Sequence, residues 1–507
     1  MGYRNPILPG FYPDPSLCRV GTDYYLVTSS FEYFPGVPIF HSRDLVHWQQ
    51  IGHCLTRDSQ LPLQQVPRSH GIWAPTLRFF NGLFYMITTN VSGGGHFYVT
   101  TQDPAGDWSE PVWIEGDGFD PDLFWDDDGT VYFMEHDLYG NGITQWKINL
   151  ETGALLGAGK QVWAGFEDRY CEAPHLYKIN GMYYLLVAEG GTYRGHMAVV
   201  ARSQSAEGPF ESCPYNPILT HRHHVTHDIQ SLGHADLVQT HDGQWWAVFL
   251  GTRPLDQRYH HLGRETFLAP VRWTADGWPI ILAKHETLSM AVDRDPLPTV
   301  TATETLNHRD DFASDSLNMI WNFRRNPIPG TISLTQRKGW LSLLGAASKL
   351  SDPAPVTYVG RRQSHFNIRL SALMEFSPRR IGEEAGLAVV MDEKHHVAIS
   401  LRRQQEGLEF VFRRVIGELT YETRQPCTNQ IEIVEWWIEA DLLNYRFGYK
   451  TASHEVRTLG VAETKYVSAE VADTFTGVYI GMFATGNGER SQTTAYFDWF
   501  EYRPISS

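Results

Sequence analysis

Asp14-Pro-Ser-Leu17 is echoed four times along the chain, as Ala74-Pro-Thr-Leu77, Asp120-Pro-Asp-Leu123, Ala173-Pro-His-Leu176 and His234-Ala-Asp-Leu237. Seven to nine residues after the start of each copy comes a glycine turn and an aromatic run: Gly21-Thr-Asp-Tyr-Tyr, Gly82-Leu-Phe-Tyr, Gly129-Thr-Val-Tyr-Phe, Gly181-Met-Tyr-Tyr and Gly243-Gln-Trp-Trp. The glycines are 61, 47, 52 and 62 residues apart. Units rich in β signals at that interval predict a five-bladed β-propeller, one blade per unit. The first strand of every blade then faces a common axis, and equivalent positions converge. They bring together Asp14, Asp120 and, one residue ahead of its register, Glu172.

The repeats occupy residues 1–292. The Pro- and Thr-rich stretch 293–307 reads as a linker. From 308 to 507 the glycine-aromatic repeat stops and short strand-like runs take over, such as Leu387-Ala-Val-Val-Met391 and His395–Leu401, which predict a β-sandwich. The fold class expected is therefore all-β. The tail Tyr496-Phe-Asp-Trp-Phe-Glu-Tyr502 is dense in aromatics. Such a sandwich is either a carbohydrate-binding module or a domain that packs against and shields the propeller, and the second reading is preferred.

A chain of 507 residues suggests two or three domains, and 42% hydrophobic with 20% charged residues excludes a disordered one. Aromatics make up 13%, with 16 Trp, which suits β structure and sugar stacking alike. The formal charge of −16 argues against nucleic acid and anionic membrane as partners. No stretch is long and apolar enough for a membrane-spanning helix. The five cysteines (18, 54, 171, 213 and 427) are scattered without a CxxC, and no apolar run follows Met1. Reduced thiols and a cytoplasmic location are expected. Oligomeric state is left open by the sequence, and a homo-oligomer is compatible with it.

Hydrolysis of a glycosidic bond needs an acid for the leaving oxygen and a base or nucleophile on the opposite face. Asp14, between Phe-Tyr-Pro and Pro15, sits in a rigid turn that fixes a short carboxylate, and is assigned the base. Glu172 has the longer reach and apolar neighbours that raise its pKa, as an acid requires. Asp120 lies on the blade between them and raises the acid's pKa by like-charge repulsion. A single Asp-Pro would be ordinary turn chemistry; the shared register makes the case. Asp122 is the rival to Asp120, but it aligns with Ser16 and Thr76 instead.

Weaker signals surround this trio. His234 fills the axial register of the fifth copy. Arg264 is a candidate to bind sugar hydroxyls or orient a carboxylate, against the plainer reading of a surface pair with Glu265. Trp73 and Phe31 could wall a sugar pocket, although core packing explains either one alone. The cluster His221-Arg-His223-His224-Val-Thr-His227 fits no standard zinc spacing, and Asp126-Asp-Asp-Gly129 reads as a hairpin turn; no metal ligand is assigned.

Several motifs resemble glycoside hydrolase family 43, in particular its two-domain β-xylosidases. They are Asn5-Pro-Ile-Leu-Pro-Gly-Phe-Tyr-Pro-Asp-Pro-Ser16, Thr28-Ser-Ser-Phe-Glu-Tyr-Phe-Pro-Gly-Val-Pro38, His41-Ser-Arg-Asp-Leu-Val-His-Trp48, Gly71-Ile-Trp-Ala-Pro75, Gly118-Phe-Asp-Pro121, Glu172-Ala-Pro-His-Leu-Tyr177, Gly233-His-Ala235 and Leu262-Gly-Arg-Glu-Thr266. The resemblance implies an inverting exo-glycosidase with Asp14 as base, Glu172 as acid and Asp120 as pKa modulator. It places Phe31, Trp73, Ala74, His234 and Arg264 around the non-reducing sugar. It implies release of terminal β-D-xylose from xylo-oligosaccharides, with α-L-arabinofuranose as a further substrate. The alternatives are an α-L-arabinofuranosidase with little xylosidase activity and a non-catalytic sugar-binding protein. No cofactor is required on this reading, though it allows a calcium or other cation in the axial channel near His234. Inversion would set Asp14 and Glu172 about 6.5–9.5 Å apart. The chain departs from related xylosidases at His227-Asp228-Ile-Gln230, where an Asn-Pro usually precedes the Gln.

Overall fold

The computed structural model describes residues 2–138, 142–167, 169–298, 309–427, 431–451 and 455–505. Most of the 293–307 linker falls outside them. The described residues are nearly all β, with one helical turn pair at 464–472.

Residues 16–280 fold into five successive antiparallel sheets. Their first strands are Ser16–Val20, Thr76–Phe80, Phe119–Trp125, Glu172–Ile179 and Gln230–Gln239, and their second strands are Asp23–Val27, Leu83–Val91, Val131–His136, Met182–Glu189 and Trp245–Thr252. The sequence repeat explains why the sheets match. Leu17, Leu77, Leu123, Leu176 and Leu237 are all buried, one per first strand. The five repeat glycines all close the turn to the second strand at positive φ, from +63° to +89°, where a side chain would be strained. Thr76–Phe80 packs on Ser16–Val20 and on Phe119–Trp125, which meets Glu172–Ile179; Met182–Glu189 and Met197–Ser203 of the fourth sheet meet Gln230–Gln239, which in turn meets Ser16–Val20. The N-terminal segment reinforces the closure. Ile7 and Leu8 donate N–H bonds to the Thr266 carbonyl, and the Asn5 side chain brackets both backbone groups of Leu268.

One step along the first strands from the axial residues lie Ser16, Thr76, Asp122, His175 and Asp236, in matching registers. Here Asp122 is fully buried and holds Arg78 in a two-pronged pair at 2.8 Å, while Asp236 accepts from Ser16 Oγ (2.7 Å) and Tyr177 Oη (2.5 Å). Asp122 therefore ties sheets together and is not the rival to Asp120. Removing one partner of a buried pair leaves a charge uncompensated. Asp122→Ala should cost about 3 kcal/mol or more, read as a lower urea midpoint; an unchanged midpoint would contradict the role.

The second domain is an eight-stranded sheet facing a six-stranded one. Alternate residues of both fill the space between, among them Leu370, Ala372, Met374, Leu387, Val389, Ile399, Trp436, Ile438 and Phe447. The aromatic tail belongs to this core. Phe497, Phe500 and Tyr502 are buried, and Trp499 is half covered beneath Arg309. That agrees with a packing domain.

The sandwich is clamped to the first sheets. Tyr33 stacks on Tyr479 with centroids 3.7 Å apart, and Phe323–Arg324 pairs with Tyr33–Phe34. Arg68 donates to Asp392 (2.5 Å) and to the Ala472 carbonyl (2.7 Å). Asn326 holds the backbone of Leu61 and Leu63.

Candidate active site

Asp14, Asp120, Ala173 and His234 share a left-handed backbone, with φ of 54°, 54°, 53° and 51°. Non-glycine residues rarely hold that conformation, and it persists where the surroundings over-determine it. Four of the five axial positions thus repeat one unusual geometry. Glu172 stands between left-handed Tyr170 and Ala173 at the head of its strand.

Asp14 is buried and doubly anchored. Ser29 Oγ donates to its Oδ2 at 2.5 Å, and Arg264 Nη1 donates to its Oδ1 at 2.8 Å. His234 Nδ1 lies 3.7 Å from the same Oδ1. Burial pushes the His234 pKa down to about 4, so the imidazole is neutral at pH 7. Arg264 also lies over the rings of Phe31 and Phe475, at 5.4 and 5.9 Å, and its Nε is buried without a partner. Glu265, its sequence neighbour, instead pairs with Arg253 at 2.6 Å and accepts the Gly10 N–H. The surface-pair reading of Arg264 fails.

Asp120 is buried, and its pKa is raised well above the usual carboxylate range. Burial is the largest cause, with the charges of Glu172 and Asp14 adding to it; Arg264 and the Ala74 N–H, which donates to its carboxylate, oppose. Ala74 enters the site through its backbone. Glu172 keeps some solvent contact, yet protein surrounds its carboxyl, which burial, reinforced by Asp14, pushes up to about 8. The charges of Asp14 and Glu172 thus reach Asp120, and that of Asp14 reaches Glu172. The turn before Asp120 needs glycine, because a Cβ on Gly118 would meet the His136 carbonyl oxygen at 2.0 Å. The turn before Glu172 is held by His136, whose Nδ1 lies 2.6 Å from the Cys171 carbonyl oxygen.

Trp73 is half buried, stands edge-on to Phe119 and Phe475, and donates its indole N–H to Ser69 at 2.9 Å. Phe31 is only 2% exposed and packs on Phe11, so it backs Arg264 more than it meets solvent. Two residues not foreseen complete the pocket. Ser29 lay inside a quoted motif, but nothing marked its hydroxyl as the partner of Asp14. Phe475 comes from the sandwich. Its N–H donates to Ser69 Oγ at 3.0 Å, which in turn bonds Thr474 at 2.6 Å. The sandwich thereby braces the loop that carries Trp73.

Asp14, the neighbour of His234, is engaged by Arg264, and among the described residues no group of three or more His, Cys, Asp or Glu is placed to hold a metal. In the histidine cluster, His221 Nε2 accepts the Leu288 N–H (2.9 Å) and Nδ1 faces the Ile229 carbonyl (2.8 Å), so both ring nitrogens are used. The Asp126 turn is a hairpin closed by Gly129 N–H to the Asp126 carbonyl.

A carboxyl whose pKa burial raises, in one site with a carboxylate anchored to a guanidinium, suits the acid and base that glycoside hydrolysis uses, and an enzyme of that class is what the pocket defines. Residues 3–279 match the family model described as glycosyl hydrolases family 43, and residues 309–503 match the β-xylosidase C-terminal concanavalin A-like domain. The chain belongs to glycoside hydrolase family 43. It is 43% identical to a non-reducing-end α-L-arabinofuranosidase of Bacteroides ovatus, over 99% of this chain and 94% of that one. It is 38% identical to a xylosidase/arabinosidase of Butyrivibrio fibrisolvens, over 99% of both. The solved structure of a Bacteroides ovatus xyloglucan-locus protein of this family superposes with a TM-score of 0.94 at 43% identity, covering all of both chains.

Proposed function

We propose that this enzyme is an inverting exo-glycosidase that releases terminal β-D-xylose from xylo-oligosaccharides and also accepts α-L-arabinofuranose. The observation that carries the reading is the convergence of Asp14, Asp120 and Glu172 on one pocket backed by Arg264 and closed by Phe475. Water attacks the anomeric carbon and passes its proton to Asp14. The bond to the leaving oxygen breaks as Glu172 donates its proton there. Asp120, buried beside the acid and titrating with it, modulates and orients Glu172 and takes no part in bond making. A sugar-binding protein would have no use for such a pair. The five sheets read as blades of a five-bladed propeller over residues 1–292, joined by 293–307 to the sandwich at 308–507. A cytoplasmic setting is part of the proposal, and no cation enters the mechanism.

A second reading, an α-L-arabinofuranosidase with little xylosidase activity, draws on the name of the Bacteroides ovatus relative. Rates on nitrophenyl β-D-xylopyranoside and nitrophenyl α-L-arabinofuranoside separate the two. Faster xyloside cleavage, with NMR showing α-xylose as the first product, is expected. Dominant arabinoside cleavage would establish the second reading, and β-xylose as first product would overturn inversion.

A further inference from the structure

The 190–196 and 255–260 connections emerge at the same end of their sheets as the catalytic residues, because Ala188 pairs with Glu172 and Thr252 with Gln230. Between these connections and the sandwich lies a second cavity of about 650 Å³, lined by Arg194, Asp256, Gln257, Arg258, Tyr259 and Glu470. That size is in the range of small-ligand sites.

The cavity shares a connection with the segment that carries the acid. Gly190 N–H donates to the Arg169 carbonyl at 3.0 Å, which ties the 190–196 connection to the segment leading into Glu172. Tyr170 and Tyr193 flank Gly191; a Cβ there would lie 3.4 and 3.5 Å from their rings. Tyr170 precedes Glu172 by two residues, and Tyr193 adjoins Arg194. Along the chain the two rings, 51% and 61% exposed, stand between the acid and the cavity's Arg194. Exposed aromatic faces with polar edges suit a stacked sugar. In the cavity, Arg194 and Arg258 offset Asp256 and Glu470, which favours an uncharged, hydroxyl-rich ligand. Glu470 is held in place by His260, whose Nδ1 lies 2.6 Å from one carboxylate oxygen and whose N–H donates to the other at 2.9 Å. Arg194 spends Nη1 on the Val225 carbonyl at 3.2 Å, and among the described residues neither arginine is in an ion pair, so the remaining N–H groups can serve hydroxyls.

We infer that this cavity binds the sugar units of a neutral oligosaccharide on the leaving-group side of the scissile bond, with Tyr170 and Tyr193 as the path to it. The inference rests on the proposed function, since the acid must face the leaving oxygen and the rest of the substrate must run past it. Glu470 makes the sandwich part of that binding surface.

Arg194→Ala and Arg258→Ala test it in the full chain, since both side chains are exposed. The ratio of kcat/KM for xylotriose to that for nitrophenyl β-D-xylopyranoside should fall about tenfold in each. An unchanged ratio in both overturns the assignment. A parallel calorimetric titration uses the Glu172→Gln chain with xylotriose and with xylose. Adding Arg258→Ala should weaken xylotriose binding about tenfold relative to xylose. If the wild type cleaves neither substrate, the proposed function falls, and the titration then decides the cavity alone: equal xylotriose affinity with and without Arg258 overturns it.

Discussion

Glu172→Gln should lower kcat/KM on xylobiose by about 10³-fold while cutting the rate on a nitrophenyl glycoside far less. The difference follows from what Glu172 supplies. A sugar alkoxide cannot leave without a proton, whereas nitrophenolate can. The substitution keeps side-chain size and removes only the transferable proton. The pH profile gives a second readout. Burial and the Asp14 charge raise the Glu172 pKa to about 8, so the acid form persists through neutral pH. Raising pH through that region strips the proton, and wild-type kcat/KM on xylobiose should fall on that alkaline limb. Because the three carboxylates interact, the limb reports the group and not one residue. In Glu172→Gln the limb should vanish. Wild-type rates on xylobiose, or an unaltered alkaline limb, would refute the acid assignment.

The parts of this site that were legible in the sequence are those that a repeat makes comparable. Asp14 and Asp120 could be matched because the same Pro and Leu follow each, and the matched positions do share φ near +50°. The same comparison separated Asp120, facing its fellow carboxylates, from Asp122, which neutralises Arg78. Arg264 was ambiguous because sequence proximity favoured Glu265. Arg264 stands in the bend just before the strand Glu265–Trp273, and the two side chains part there, Arg264 to Asp14 and Glu265 to Arg253. Phe475 had no repeat to be aligned with. It reaches the pocket through tertiary contact between domains, and Asp473-Thr-Phe-Thr-Gly477 carries no local mark of that role.

That contact explains why a packing domain matters to chemistry. Ser69 receives bonds from Thr474 or Phe475 on one side and from the Trp73 indole on the other. Gly71 lets the loop between them lie against Phe31, since a Cβ there would meet the Phe31 carbonyl oxygen at 2.3 Å, and its φ is +88°. Trp73, Ser69 and Phe475 thus form one continuous set of contacts across two domains.

Asp14→Asn should reduce turnover by about 10³–10⁴-fold on xylobiose and the nitrophenyl xyloside alike. Water must be activated whatever group leaves, so the leaving-group dependence that marks Glu172→Gln should be absent. The fold should survive. The remaining amide oxygen can still accept from Arg264, and the Ser29 hydroxyl can turn to accept from the new amide nitrogen. A deletion to alanine would instead leave the buried Arg264 guanidinium unpaired, so asparagine is the cleaner variant and thermal unfolding is its control. Azide rescue of Asp14→Ala, provided that variant folds, gives a further readout, while the anomer of the first wild-type product separates a base from a nucleophile. Azide needs no base, and it can attack the anomeric carbon as Glu172 protonates the departing oxygen. It should restore cleavage and yield a glycosyl azide of inverted configuration. An Asp14→Asn enzyme that keeps more than about a tenth of wild-type activity would remove Asp14 from the mechanism. Azide adducts of retained configuration would mean that another carboxylate is the nucleophile of a double-displacement path and would recast Asp14 as its acid/base group.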